Sequence, residues 1–161
     1  MKKFELTTDT KMFLGRKLFR IKALISFGNV KVGDMGGYIE KEENLSQSGD
    51  AWVSGDARVY GNAWVYGNAE VYGNAEVYGD AWVSGNADYA TASGFGSEYR
   101  TTTFFKLKNS DEIGVRCGCF YGTLKEFKEK VKETHGETKK AKEYLMLADL
   151  MEYRFSEEKK A

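Results

Sequence analysis

The chain of 161 residues has no proline, one histidine and two cysteines, and its 24 Lys and Arg are balanced by 24 Asp and Glu. Each scarcity closes off a class of chemistry. Cys117 and Cys119, separated by a single residue, cannot form a disulfide framework. As a zinc site they lack two further ligands at any usual spacing. They share one face of a predicted strand with Ile113 and Val115, so buried thiols are expected. The single imidazole, His135, falls near the end of a predicted helix, where the helix dipole favours it. Balanced charge gives no overall signal for duplex nucleic acid. Met1-Lys2-Lys3 is basic, but no apolar run follows that could serve as a signal peptide or membrane span, so a cytosolic protein with no membrane contact is expected. No Ser/His/Asp grouping, phosphate-loop motif or carboxylate pair stands out, and no cofactor or metal is expected.

What the chain has instead is a repeat. Residues 51–86 read AWVSGD, ARVYGN, AWVYGN, AEVYGN, AEVYGD, AWVSGN. Four extended residues alternate inward and outward, with Ala and Val inward, and a Gly-Asn or Gly-Asp pair turns the corner. Gly-Asn is also a hairpin signal, so an antiparallel meander has to be weighed. Folding Ala69–Tyr72 back on Ala75–Tyr78 would pair Val71 with Glu76 and Tyr72 with Ala75, leaving no consistently apolar face. Parallel stacking at a multiple of six puts Val on Val and Ala on Ala.

These hexads resemble the left-handed parallel β-helix of hexapeptide repeats, known from a large family of acyltransferases. In that family three hexads make one triangular coil, so residues eighteen apart stack. The resemblance implies Trp64 under Trp82, Tyr60 under Tyr78 and Arg58 under Glu76. It also implies association into trimers. Residues 45–92 then give fewer than three coils, about 13 Å of height at ~4.8 Å per coil, and a solenoid so short needs caps. The acyltransferases use a histidine at the coil surface as general base. No histidine lies in this repeat and no loop interrupts it, so a non-enzymatic protein is expected.

Residues 1–44 are expected to form an N-terminal β cap and lead-in. Phe19, Ile21, Ala23, Ile25 and Phe27 alternate with Arg20, Lys22, Leu24 and Ser26 as one half-buried strand. Its basic outer face is either plain solvated surface or an anion-binding patch. Gly33-Asp34-Met35-Gly36-Gly37 reads as a turn, and a Gly-Gly pair can offer N–H groups to a phosphate. The run from Gly36 to Gln47, with the hexads behind it, resembles small repeat proteins of phages and prophages. That likeness implies a mobile-element origin and, for such a chain, the host cytosol.

After Tyr89 the pattern decays through residues 90–96, placing a boundary at 92/93. Residues 93–161 are expected to form a ββαα module: strands 101–107 and 112–119 around a turn at Asn109-Ser110-Asp111, then two helices. Thr123-Leu124-Lys125-Glu126 is a capping box opening the first, and Gly136 closes it. The second spans about 138–154, with Ala141, Leu145, Ala148, Met151 and Phe155 inward.

By parity Trp52, Trp64, Trp82, Tyr60, Tyr66, Tyr72 and Tyr78 all point outward from the coil. So much aromatic surface on a small protein calls for a partner. One expectation is a homo-oligomer, a trimer or a multiple of three, with inter-subunit clefts that hold a small anionic or nucleotide ligand. The candidate ligand residues are Arg58, Tyr60, Trp64, Tyr78, Trp82 and Arg20. Phage proteins that sequester host immune nucleotides are oligomers with clefts of this kind. The alternative is a protein-interaction module that blocks a host protein.

Overall fold

A computed structural model describes residues 2–95, 100–108, 111–118 and 120–156. By internal contacts the chain divides into two compact units, Met1–Asn86 and Ala87–Ala161. Among the described residues no helix is long and apolar enough to cross a membrane.

The first unit opens with a hairpin of β1 (Phe4–Phe13) and β2 (Arg16–Ala23), followed by β3 (Met35–Ile39). Six two-residue strands then carry the hexads: β4 (Trp52–Val53), β5 (Arg58–Val59), β6 (Trp64–Val65), β7 (Glu70–Val71), β8 (Glu76–Val77) and β9 (Trp82–Val83). Their pairings with one another are parallel and eighteen residues apart: Trp52 with Glu70, Arg58 with Glu76, and Trp64 with Trp82. The meander is thus excluded by register. Val53, Val59, Val65, Val71, Val77 and Val83 are fully buried, with the hexad alanines beside them. Five corner glycines, Gly55, Gly61, Gly67, Gly73 and Gly79, hold φ between 63° and 70°, the left-handed region an L side chain resists.

Three faces result. Face A stacks β3, β5 and β8; face B stacks Leu45, β6 and β9; face C stacks β4 and β7. Below the hexads the period lengthens, because Tyr38 pairs with Arg58 and Leu45 bridges Val65, twenty residues on in each case. Ile39 to Leu45 is an ordinary step of six, so the two extra residues lie in the corner at 46–50. That wider corner receives the start of β1. The Gln47 carboxamide accepts from Lys3 N at 2.7 Å and Phe4 N at 3.2 Å, and donates to Phe4 O at 3.2 Å.

Two expectations about the lead-in are corrected. Gly36 and Gly37 belong to β3, where an added Cβ would meet Val53 O at 2.5 Å and Ala57 O at 2.7 Å. They are glycines because the strand lies against the coil, and their N–H groups do not form a turn nest. The strand read through Phe27 stops at Ala23; beyond it Phe27 and Val30 bridge each other across a tight turn. Leu18, Ile21 and Ala23 are buried while Phe19 is half-buried, and the β2–β3 register shifts between Arg20 and Lys22, so strict alternation breaks there.

The second unit is a four-stranded antiparallel sheet in the order β10 (Tyr89–Phe95), β11 (Arg100–Lys106), β12 (Ile113–Cys117), β13 (Phe120–Thr123), followed by α1 (Leu124–His135) and α2 (Lys139–Phe155). The expected ββαα order is therefore ββββαα. Tyr89–Ala92, read as the fading end of the repeat, pairs residue by residue with Phe105–Thr102. Small residues there suit a strand on which helices lie: Ala90 and Ala92 pack against the core cluster that includes Phe104, Phe127, Ala141 and Met151. Thr123 Oγ1 accepts from Glu126 N and Glu126 Oε1 from Thr123 N, completing the capping box, and Gly136 is the C-cap. Cys117 is half-buried and accepts from Thr102 Oγ1 at 3.2 Å. Cys119, Gly96 and the turn residues Asn109 and Ser110 lie outside the described residues.

Candidate docking site on the solenoid faces

The aromatic side chains do leave the hexads on their outer side, but the N-terminal segment covers them on two of the three faces. On face C the Phe27 ring meets Trp52 edge-on at 5.4 Å, leaving that tryptophan 6% exposed. On face A the end of the β1–β2 hairpin lies over the rings. Phe13 packs edge-on against Tyr60 at 5.7 Å, and Tyr60 is 1% exposed. Tyr60 in turn meets Tyr78 at 4.6 Å. Tyr60 and Trp52 thus point outward from the coil as expected, and the chain's own N-terminal segment covers them. Tyr72, at a corner position of the hexad row, is exposed.

The cations expected to meet a phosphate are engaged within the fold. Arg58 sits 4.0 Å above the Phe13 ring centroid and 3.4 Å from Glu76 Oε1. Arg20 lies over the Tyr38 ring at 4.8 Å, donates to Tyr38 Oη at 3.0 Å and is 3.5 Å from Asp9. Arg16 is the fastener of the hairpin. It donates to Glu40 Oε1 at 2.9 Å and to Tyr78 Oη at 3.2 Å.

Face B differs. Trp64 and Tyr66 stack at 3.8 Å with 15° between their planes, and Trp82 stands edge-on to both, 5.4 Å from Trp64. All three are half-buried. Beside them runs a groove of about 650 Å³ lined by Leu45, Ser46, Gln47, Glu42, Glu43, Lys2 and the two tryptophans. Glu42 is held below the usual carboxylate range by the hydrogen bond from Lys2, whose Nζ is 2.7 Å away. Glu43 is exposed and adds a second carboxylate at the rim. The groove is therefore aromatic at its centre, and its edge carries Glu43 beside the Lys2–Glu42 ion pair. Of the six residues singled out in the sequence, the structure gathers Arg58, Tyr60 and Tyr78 under the hairpin. It places Trp64 and Trp82 on the next face, and sets Arg20 on Tyr38.

Sequence reasoning missed the three polar residues that fix the lead-in. Asn44 is fully buried: its Oδ1 accepts from Glu40 N and Lys41 N, and its Nδ2 donates to Gly61 O and Ala63 O. Lys3, 1% exposed, donates to Ala51 O at 2.6 Å and Gly49 O at 3.3 Å and lies over the Phe27 ring. Gln47 is the third. The one available signal was Leu45, which continues the valine ladder six residues after Ile39 and so marks residues 38–47 as a further rung.

His135 stacks on Tyr144 at 6.1 Å at the end of its helix. Among the described residues no group of three or more His, Cys, Asp or Glu could hold a metal ion. No curated protein matches the chain. Residues 51–67, the stretch from β4 through β6, match the family described as the YdcK beta-solenoid repeat, so the hexads are those of a β-solenoid repeat protein.

Proposed function

We propose that this protein is a non-catalytic interaction module: a short left-handed β-helix of fewer than three hexapeptide coils that presents face B to another protein and works as a trimer or a multiple of three. The observation that carries this reading is the contrast between faces. The N-terminal segment covers Tyr60 on face A and Trp52 on face C, while Trp64, Tyr66 and Trp82 form a cluster of three half-buried rings beside a groove with two carboxylates at its rim. Aromatic rings with a polar rim are the composition of protein interfaces. Glu42 and Glu43 disfavour a phosphate at the same place, and Arg58 is matched by Glu76, so the geometry supports a polypeptide better than a nucleotide. The test places a photo-crosslinking residue at Ser46, which lines the groove. A covalent adduct with a polypeptide, and no melting shift from mono-, di- or cyclic nucleotides, is expected. A nucleotide shift that disappears in Trp64→Ala would restore the small-ligand reading; neither adduct nor shift would overturn both.

A further inference from the structure

The β1–β2 hairpin ends in an unusual turn. Leu14 has φ 49° and Gly15 φ 79°, two successive left-handed residues joining Phe13 to Arg16. Asn-Gly or Asp-Gly suits such a turn, and leucine in the first position costs about 1 kcal/mol of backbone strain. That leucine is 55% exposed, and Met12 two residues earlier is 67% exposed. Phe13 between them turns the other way, onto Tyr60 and Arg58. Met12 pairs in register with Lys17, whose side chain is exposed. The tip thus offers two apolar side chains and a cation to solvent, at a position where the backbone would prefer a polar residue.

Building on the interaction reading above, we infer that the occupant of face B is the hairpin tip of a second copy of this chain. Charge matches: Lys17 at the tip meets Glu43 at the groove, where Glu42 is already paired with Lys2. Shape matches in kind, two flexible apolar side chains meeting Trp64, Tyr66 and Trp82 over Leu45. A chain cannot satisfy itself, because its own tip is held on face A by Phe13 on Tyr60 and by Arg16 on Glu40 and Tyr78. The contact joins two different surfaces, so it is heterologous and propagates from copy to copy until rotation closes it. The outward normals of two faces of a triangular coil are about 120° apart, so laying face A of one copy against face B of the next with the coil axes parallel turns each copy by about 60°, and the ring closes after about six copies, a multiple of three.

Two variants test this. In Leu14→Asn with Met12→Ser the tip loses its apolar groups but gains a residue suited to the turn, so the monomer should melt no lower than wild type. In Ser46→Arg the groove is obstructed without touching the core. Light scattering at about 100 µM should show the wild type at about six times the chain mass and each variant at the chain mass. An equimolar mixture of the two variants should give a dimer, since it contains one intact tip facing one intact groove. Lys17→Glu should weaken assembly at least tenfold, and adding Glu43→Lys to it should restore most of the loss. The inference is overturned if the wild type is monomeric, if the tip variant still assembles, or if the mixture stays monomeric. Assembly lost in Ser46→Arg but kept in the tip variant would leave face B as an interface with a different occupant. A Ser46→Arg variant that behaves as wild type in both assembly and crosslinking would remove the interaction reading itself.

Discussion

Replacing Asn44 by alanine should be among the most damaging polar substitutions in the first unit. In the coil above, backbone N–H groups of one rung bond to carbonyls of the next: Trp64 N to Ala81 O and Tyr66 N to Val83 O. One rung lower Ser46 N bonds Val65 O, but Asn44 N is spent on Lys41 O in the turn. The Asn44 side chain takes the missing place, donating to Ala63 O at 2.9 Å and Gly61 O at 3.2 Å. Alanine leaves those two carbonyls and Lys41 N without it, while Glu40 N keeps Val59 O. At ~1–3 kcal/mol for each buried group left unmade, less what an entering water recovers, the loss should be ~3–5 kcal/mol. Asn44→Asp should do no better, because it keeps the two acceptor contacts but turns a carboxylate oxygen toward two carbonyls. Asn62→Ala, at an exposed corner, should stay within ~0.5 kcal/mol. All three tryptophans, Trp52, Trp64 and Trp82, lie in the first unit, so urea unfolding followed by tryptophan fluorescence reports it alone. At ~4–8 °C per kcal/mol for a unit of this size, the melting temperature should fall by ~15–30 °C. A loss below about 1 kcal/mol, no larger than for Asn62→Ala, would refute the role given to Asn44.

Three further expectations follow from the same geometry. Val71→Asp puts a carboxylate where the valine is fully buried and should abolish folding of the first unit, whereas Tyr66→Ser, matching the serines already at Ser54 and Ser84, should cost only ~1–2 kcal/mol; equal losses in thermal melts would mean the inward and outward positions are misassigned. Gly36→Ala brings a Cβ to 2.5 Å from Val53 O and should cost ~1–3 kcal/mol in the same urea assay, a result that near-wild-type stability would contradict. Burial lowers the Lys3 pKa from 10.5 to about 8, against the opposing pull of Asp50. The folded chain releases that proton first, so wild-type stability should rise relative to Lys3→Met by ~1–3 kcal/mol between pH 8 and 10.5, and a flat difference across that window would show that Lys3 is solvated.

The hexads determined their own pairing. Alternation of Ala and Val with polar or aromatic residues admits only parallel stacking at a multiple of six, and Gly-Asn corners hold the bends that such stacking needs. Trp64 over Trp82 and Arg58 over Glu76 were legible for that reason. The helices of the second unit were legible too, since Thr123, Glu126 and Gly136 act within one turn of the backbone they cap. Parity along a strand says only that a side chain leaves the coil, however, not what lies above it. Whether Tyr60 and Trp52 face solvent or Phe13 and Phe27 was set by residues 25 or more positions away in the chain, brought over them by a hairpin whose docking is fixed through Arg16, Gln47 and Lys3. The separation of Arg58, Tyr60 and Tyr78 from Trp64 and Trp82 follows from the repeat, since successive hexads take successive faces, whereas the place of Arg20 on Tyr38 was decided by the tertiary structure. Strand β10 was hidden because its Ala, Thr and Ser residues carry little apolar signal of their own. They become a strand by pairing with β11 and by leaving room for the helices above.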